Sequence, residues 1–472
     1  MPLNKKYTTF KNRIVMIGFG SIGKGVLPLL LRHIDVAPEQ ITIFAADKLH
    51  RDIANDYGIT YIEQALTRDN YQAILTPHIT SGDLLINVSV DVSSLALIEF
   101  CQEKGALYID TCIEPWQGGY TDHNLSPSAR SNYGLREKAK ALYSKYKEGP
   151  TALLTHGANP GLVSHFVKQA LLNMAADNGL SISPPSTREA WGLLMEQLGI
   201  QTVHIAERDT QVSNKPKEPG EFVNTWSIDG FYGEGCQPAE LGWGSHEKHF
   251  PPDARRHDYG SDAAIYLERP GCTTRVRSWT PLEGPYQGFL ITHGEAISIA
   301  DYFTVKEENH VRHRVTCHYA YHPCDAAVSS IHEVNGKLGE RQKQTRLMMD
   351  EITAGMDELG VLLMGNTKGV YWYGSRLTID QARALCPHNS ATSLQVTVSV
   401  LAGTIWVIDH PEQGIVEPEE IDFKRILEIT SPYLGEVVGV WGDWSPLQGR
   451  NRLFKEDLDL TDPWQFKNIR VV

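Results

Sequence analysis

Ile14-Val15-Met16-Ile17-Gly18-Phe19-Gly20-Ser21-Ile22-Gly23 decides how the first part of this chain folds. A short β-rich apolar run enters a turn punctuated by three glycines, and a helical pattern continues from Lys24 to His33. Strand, glycine turn and helix in this order describe a dinucleotide cradle. The first glycine allows a tight turn, and the second lets backbone approach a pyrophosphate. The third lets helix pack on strand, while the helix N-terminus stabilises negative charge.

A bare motif of this kind arises often by chance, so the residues beyond it matter. The next strand, Ile41 to Ala46, ends at Asp47, where an acidic side chain meets the ribose hydroxyls of a bound dinucleotide. Asp47 would repel the extra phosphate of NADP, and NAD is the expected cofactor. Lys48 and Arg51 follow closely as counter-signals. Further strands are expected at Asp83 to Val90, Ala106 to Cys112 and Thr151 to Thr155, with helices near Ser94 to Lys104 and Leu135 to Lys147. That alternation predicts an α/β fold with a doubly wound, Rossmann-type parallel sheet. The cofactor set is Gly18, Gly20, Ser21, Ile22, Gly23, Asp47, Val88, Ser89 and Thr111.

Ligands of such sheets sit beyond the carboxyl ends of the strands, where Asp91, Thr111 to Glu114 and Asn159-Pro160-Gly161 emerge. Asp91 and Asn159 each precede a helical pattern, so each reads equally as a helix N-cap or as a ligand contact. Cys112 has no paired base in view and reads as a small buried residue.

From about Ala158 onward the alternation is lost and Trp, Tyr, Gly, His and Glu become frequent. We therefore expect a Rossmann domain over residues 1–157 and a mixed α+β domain for substrate and dimerisation over 158–472. Ser390 to Ile408 and Ile421 to Glu428 read as helices that pack back on the first sheet. In the middle region, carboxylates stand beside aromatic residues and glycine: Glu207, Trp226, Glu234, and His293-Gly294-Glu295. A pocket for an alkyl ammonium wants this chemistry, because carboxylates pair with cationic ends and an indole face attracts them. Exposed Glu and packed Trp are also common everywhere, and composition alone leaves both readings open. Cys317-His318 and His322-Pro323-Cys324 carry metal-capable side chains, but their spacing matches no familiar finger. Strand alternation from Arg312 to Tyr321 would point them to opposite sides, so no metal is expected.

The balance of 44 Lys plus Arg against 57 Asp plus Glu gives a formal charge of -13, which disfavours nucleic acid and favours cationic ligands. No apolar run is read as long enough for a bilayer, and the polar N-terminal residues do not resemble a leader. Seven scattered cysteines suggest reduced thiols, so a soluble cytoplasmic protein is expected.

Taken together, the glycine motif, Asn87-Val88-Ser89-Val90-Asp91, Tyr108 to Trp116, His156 to Gly161, Asn224-Thr225-Trp226-Ser227 and His293-Gly294-Glu295 resemble the bacterial homospermidine synthases over essentially the whole length. The first two-thirds also resemble the broader saccharopine dehydrogenase-like group. The resemblance implies a transferase of polyamine biosynthesis: a homodimer with tightly bound NAD that converts two putrescines into sym-homospermidine and ammonia. It also implies that Asp91, Glu114, Asn159, Glu207, Trp226, Glu234, His293 and Glu295 line the amine site. Within that expectation Glu207 and Glu234 anchor cationic nitrogen, Trp226 stacks at the entrance, and the reacting end lies near Asp91, Asn159 and His293. A saccharopine-type or carboxynorspermidine-type dehydrogenase is the rival enzyme, and would need Arg or Lys for a substrate carboxylate. A non-catalytic NAD-sensing module is the rival from another class.

Overall fold

The computed structural model describes residues 4–308 and 310–472. Its first sheet grows from the glycine motif. Strands β1 (Ile14–Ile17), β2 (Ile41–Ala45), β3 (Thr60–Glu63), β4 (Leu84–Asn87), β5 (Leu107–Asp110) and β6 (Ala152–Leu153) lie in the order 3-2-1-4-5-6, all parallel. Strands β1, β4 and β5 are buried along their whole length, the pattern of a parallel sheet covered on both faces. The order reverses between β1 and β4, which opens the crevice where dinucleotides bind in such sheets.

Helix boundaries follow local chemistry. Helix α1 (Ser21–His33) starts at Gly20, with no acidic residue in its first turn. Helix α2 (Ser94–Lys104) is capped by Ser93, whose hydroxyl accepts the Ala96 N–H, and it stops at Gly105 in the left-handed conformation. Two sequence expectations change here. Asp91 and Asn159 are not N-caps, because Ser93 caps α2 and, beyond α3 (Asn132–Lys145), Gly161 precedes α4 (Leu162–Asp177).

The second sheet has eleven strands. Its spine is β7 (Thr202–Asp209), flanked on one side by β13 (Thr316–His322) in parallel and on the other by β14 (Met356–Met364) in antiparallel pairing. Beyond β13 lie β8 (Pro238–Gly242), β10 (Ala264–Pro270) and β9 (Ala254–Arg256), and beyond β14 lie β15 (Val370–Thr378) and β16 (Glu436–Gly442). The hairpin β11 (Arg275–Thr280) and β12 (Gly284–Phe289) joins β13, and β17 (Arg470–Val471) pairs with β11. The alternating segment read as one strand from Arg312 is two. His310–His313 pairs in a separate small hairpin, and the chain turns at Arg314, whose buried guanidinium donates to Thr304, before β13 begins. Among the described residues no group of three or more His, Cys, Asp or Glu stands close enough to hold a metal.

Helix α7 (Ala391–Asp409) corrects another reading. It spans 19 residues with mean hydropathy 1.6, long and apolar enough to cross a membrane by length and composition. It is instead buried in the protein, packed against α1 and β5, and it reads as apolar all round because its surroundings are protein on every side. After it, Ile415–Val416 adds a seventh parallel strand to the first sheet beside β6.

The α1–α7 seam rests on close approach at Gly25. A Cβ there would stand 2.5 Å from Asn389 Oδ1 and 3.0 Å from Thr397 Cγ2. Asn389 cannot easily yield, since its Nδ2 donates to the Gly25 carbonyl and its Oδ1 accepts from Ser393 and Thr397. Gly25→Ala should therefore cost about 1–3 kcal/mol of stability, despite the ~1 kcal/mol by which Ala favours a helix interior. Thermal denaturation should show a lower Tm; an unchanged or higher Tm would mean that the seam is loosely packed.

Candidate active site

The three glycines meet three different constraints. Gly18 has φ +90°, and a Cβ on it would lie 2.7 Å from the Val88 carbonyl, so only glycine lets β1 pass this close to the end of β4. A Cβ on Gly23 would lie 2.5 Å from the Gly18 carbonyl, which fixes how tightly α1 returns to its strand. At Gly20 a Cβ would meet nothing within 4 Å. That open space lies before the first amides of α1, and it suits a pyrophosphate. Asp47 is exposed at the end of β2, where its Oδ1 accepts the Leu49 N–H at 2.8 Å. Nearby Arg51 is drawn away, paired with Glu63 at 3.1 Å and resting over the Tyr61 ring. Of the two cations after Asp47, Arg51 is thus already engaged and is not free to recognise an extra ribose phosphate.

Next to this cradle is a cavity of about 110 Å³. Ile22, Val88, Ser89 and Thr111 line its dinucleotide side, and Glu114, Asn159, Glu207, Trp226, Glu234 and His293 line the other. Six of the eight residues expected at the amine site therefore converge from both sheets. Glu207, on β7, is 2% exposed, and its Oε2 accepts from Asn159 Nδ2 at 3.3 Å and from the Tyr319 hydroxyl at 2.5 Å. Trp226 is half-buried at the N-terminal side of α5 (Ile228–Cys236), and its Nε1 donates to Tyr321 at 2.9 Å. His293 precedes α6 (Gly294–Tyr302), with Nε2 3.0 Å from Glu234 and Nδ1 3.3 Å from Glu295.

Two expected residues stand elsewhere. Asp91 is exposed with φ +63° and lines an outer vestibule with Gln117, Asp229 and Tyr232, away from Asn159. The positive φ at Asp91 turns the chain outward before Ser93 caps α2. Glu295 is fully buried behind His293 and does not reach the cavity; as part of the first turn of α6 it faces the protein interior. Sequence reading also missed Tyr319, which bonds Glu207 and packs its ring 4.4 Å from His293. The only trace it leaves in sequence is Tyr319 and Tyr321 at alternate positions of a strand. Which residues of β7 they face depends on the parallel register that puts Tyr321 opposite Glu207.

Electrostatically the cavity wall is acidic, with His293 as its one cation among the described residues. Burial raises Glu207 above the ordinary carboxylate range, opposed by the Tyr319 hydrogen bond and reinforced by Asp209. Burial likewise pushes Glu114 up to about 8, against the Cys112 thiol that donates to it and with repulsion from Glu234 and Asp91. For His293, burial disfavours the charged ring, yet the Glu295 and Glu234 carboxylates outweigh it and keep the imidazolium well above its usual range. No Lys or Arg lines the cavity among the described residues. Such a donor set fits a cationic amine and lacks the partner a substrate carboxylate would require.

The saccharopine dehydrogenase NADP binding domain family matches residues 14–153, and the saccharopine dehydrogenase C-terminal domain family matches residues 157–443. A homospermidine synthase of Blastochloris viridis is 52% identical over 470 residues, 98% of each chain. A homospermidine synthase of Mesorhizobium japonicum is 49% identical, over 98% of this chain and 97% of the relative. Among solved structures, the homospermidine synthase of Legionella pneumophila in complex with NAD superposes with a TM-score of 0.92 at 49% identity, covering 98% of both chains. Saccharopine dehydrogenase from Saccharomyces cerevisiae shares the fold at 10% identity, with a TM-score of 0.50.

The raised Glu114 makes a prediction for the ligand-free protein. A carboxyl whose folded pKa lies above its unfolded value favours the fold fully below about pH 4.5 and loses that contribution as pH rises through about 8. Glu114→Gln removes this dependence. The Tm of the variant minus that of wild type should therefore grow between about pH 4.5 and pH 8. A difference that stays flat across that window would show that Glu114 is well solvated.

Proposed function

This chain belongs to the homospermidine synthase family of saccharopine dehydrogenase-like proteins, and on that premise we propose how its own residues carry the family's reaction. The reaction joins two putrescine molecules into sym-homospermidine and releases ammonia. The observation that carries it here is an acidic, aromatic cavity set directly against an NAD cradle. NAD, when bound, supplies the hydride acceptor for the first half of the reaction and, once reduced, the hydride donor for the second. Gly18, Gly20, Ser21, Ile22, Gly23, Asp47, Val88, Ser89 and Thr111 would hold it.

An ammonium cannot release hydride from its adjacent carbon until it loses a proton. Glu207, raised by burial and fixed by Asn159 and Tyr319, is suited to take that proton from the inner nitrogen. Glu234, 21% exposed beside His293, is placed to hold the outer ammonium. Protonated His293 can donate to the departing nitrogen, and Glu295 behind it holds the ring and its charge. Trp226 presents its indole on the cavity wall, and Asp91 receives the incoming diammonium at the vestibule. Glu114, on the wall shared by both spaces, is neutral until a cation approaches. The net charge of -13 and the seven free cysteines support a cytoplasmic protein without nucleic-acid partners, and the family resemblance implies a homodimer.

Purified protein incubated with NAD and putrescine alone should form homospermidine and ammonium, with no net accumulation of NADH. Stoichiometric NADH without triamine would indicate a simple amine dehydrogenase, and no turnover at all would reject the reading.

Variants separate the parts. Glu207→Gln should lower kcat/KM for putrescine at least about tenfold while NAD affinity stays within about threefold, since only a proton acceptor is lost. For Trp226, activity should fall in the order Trp, Phe, Leu at nearly constant Tm, because a cation over an indole gains about 0.5–2 kcal/mol and Phe keeps part of that. If Tm falls in step with activity, Trp226 serves packing alone.

A further inference from the structure

One buried carboxylate at the carboxyl end of β5 has no part in the chemistry above. Asp110 is 1% exposed. Its Oδ2 accepts the Tyr108 hydroxyl at 2.8 Å, its Oδ1 accepts the Thr155 backbone N–H at 2.6 Å, and its carbonyl accepts the His156 N–H at 2.7 Å. The Tyr108 hydroxyl accepts from Asn87 Nδ2 at 3.3 Å, and Asn87 Oδ1 accepts both the N–H and the hydroxyl of Ser89. An unbroken hydrogen-bonded chain thus crosses the carboxyl ends of β4, β5 and β6, the edge on which the cofactor and amine pockets are built.

Thr155, at the far end of this chain, has φ +51°. A β-branched residue in the left-handed region is strained and persists only where its surroundings hold it. Thr155 opens the segment His156-Gly157-Ala158-Asn159, and the Asn159 side chain reaches Glu207. Relaxation of Thr155 to a common φ would swing that segment and withdraw Asn159 from the amine pocket. A carboxylate accepting a backbone N–H forms one of the stronger hydrogen bonds available, so Asp110 is equipped to oppose the relaxation.

We infer that Asp110 is a positioning residue, whose bond to the Thr155 N–H holds the left-handed turn and so places Asn159 beside Glu207 for diamine binding. The inference rests on the proposed amine site. It explains why a carboxylate is buried at a strand end without lining the cavity or its vestibule.

Replacing Thr155 by glycine, which adopts positive φ without strain, tests this directly. Putrescine kinetics, NAD affinity and Tm would be measured for wild type, Asp110→Ala, Asp110→Asn, Thr155→Gly and the Asp110→Ala/Thr155→Gly double variant. Asp110→Ala should lose about tenfold or more in kcat/KM for putrescine, the size of a left-handed penalty on a non-glycine residue, with NAD affinity within about threefold. Asp110→Asn keeps an acceptor for the Thr155 N–H and should stay within about threefold of wild type. The double variant should recover most of the lost kcat/KM relative to Thr155→Gly while its Tm remains as low as that of Asp110→Ala.

A merely structural Asp110 would give no such recovery, since the hole in the core is the same in both backgrounds. If Asp110→Ala does not fold, the double variant compared with Thr155→Gly decides: a loss beyond about tenfold overturns the inference, and near-equality supports it. Wild-type turnover in the same assay keeps the questions apart, because its absence would reject the amine site itself.

Discussion

The Glu207 carboxylate is held by Asn159 from the end of the first sheet and by Tyr319 from within the second. Taking a carboxylate out of water is costly, and two hydrogen bonds offset only part of that cost. The remainder appears as a proton affinity raised by burial. An acid in that state is a poor stabiliser of a fold and a good acceptor for a proton on a substrate nitrogen. The cavity lies where this contact joins the end of the first sheet to the spine of the second.

Around it the charges are arranged unequally. Glu114, Glu207 and Glu234 reach the cavity, and His293 is their only cationic neighbour on its wall among the described residues. An acidic excess enclosed by protein waits for a cation, and the substrate of this family is a dication at neutral pH. The buried Glu295 works through His293, so that the imidazolium persists where burial alone would discharge it. A proton donor and a proton acceptor thus coexist in one small space because each has different neighbours.

The scaffold achieves this by returning late sequence to early structure. Helix α7 runs through the interior against α1 and β5, and the strand Ile415–Val416 extends the first sheet beside β6. Close approach is secured by small residues: Gly25 against Asn389, and Gly403, where a Cβ would lie 2.6 Å from His156 Nδ1. The carboxyl ends of β4, β5 and β6 are tied by the Asn87–Tyr108–Asp110–Thr155 chain. Rigidity at that edge matters because cofactor and substrate contacts emerge within a few residues of one another there.

What the sequence determined by itself was whatever depends on neighbours along the chain. The apolar run Ile14 to Ile17, the spacing of Gly18, Gly20 and Gly23, and Asp47 after the second strand announce the dinucleotide fold, because steric demands at a tight turn act over a few residues. Helix α2 was expected near Ser94 to Lys104 and spans Ser94–Lys104, although its cap is Ser93 and not Asp91. The family resemblance suggested eight residues for an amine site, and six of them meet in one cavity. Only the tertiary structure decided that Asp91 belongs to the vestibule, that Glu295 stands behind His293, that Tyr319 faces Glu207, and that the apolar run of α7 is a core helix. Those outcomes depend on strand register and on contacts between residues far apart in the chain, and neither leaves a periodic mark in the sequence.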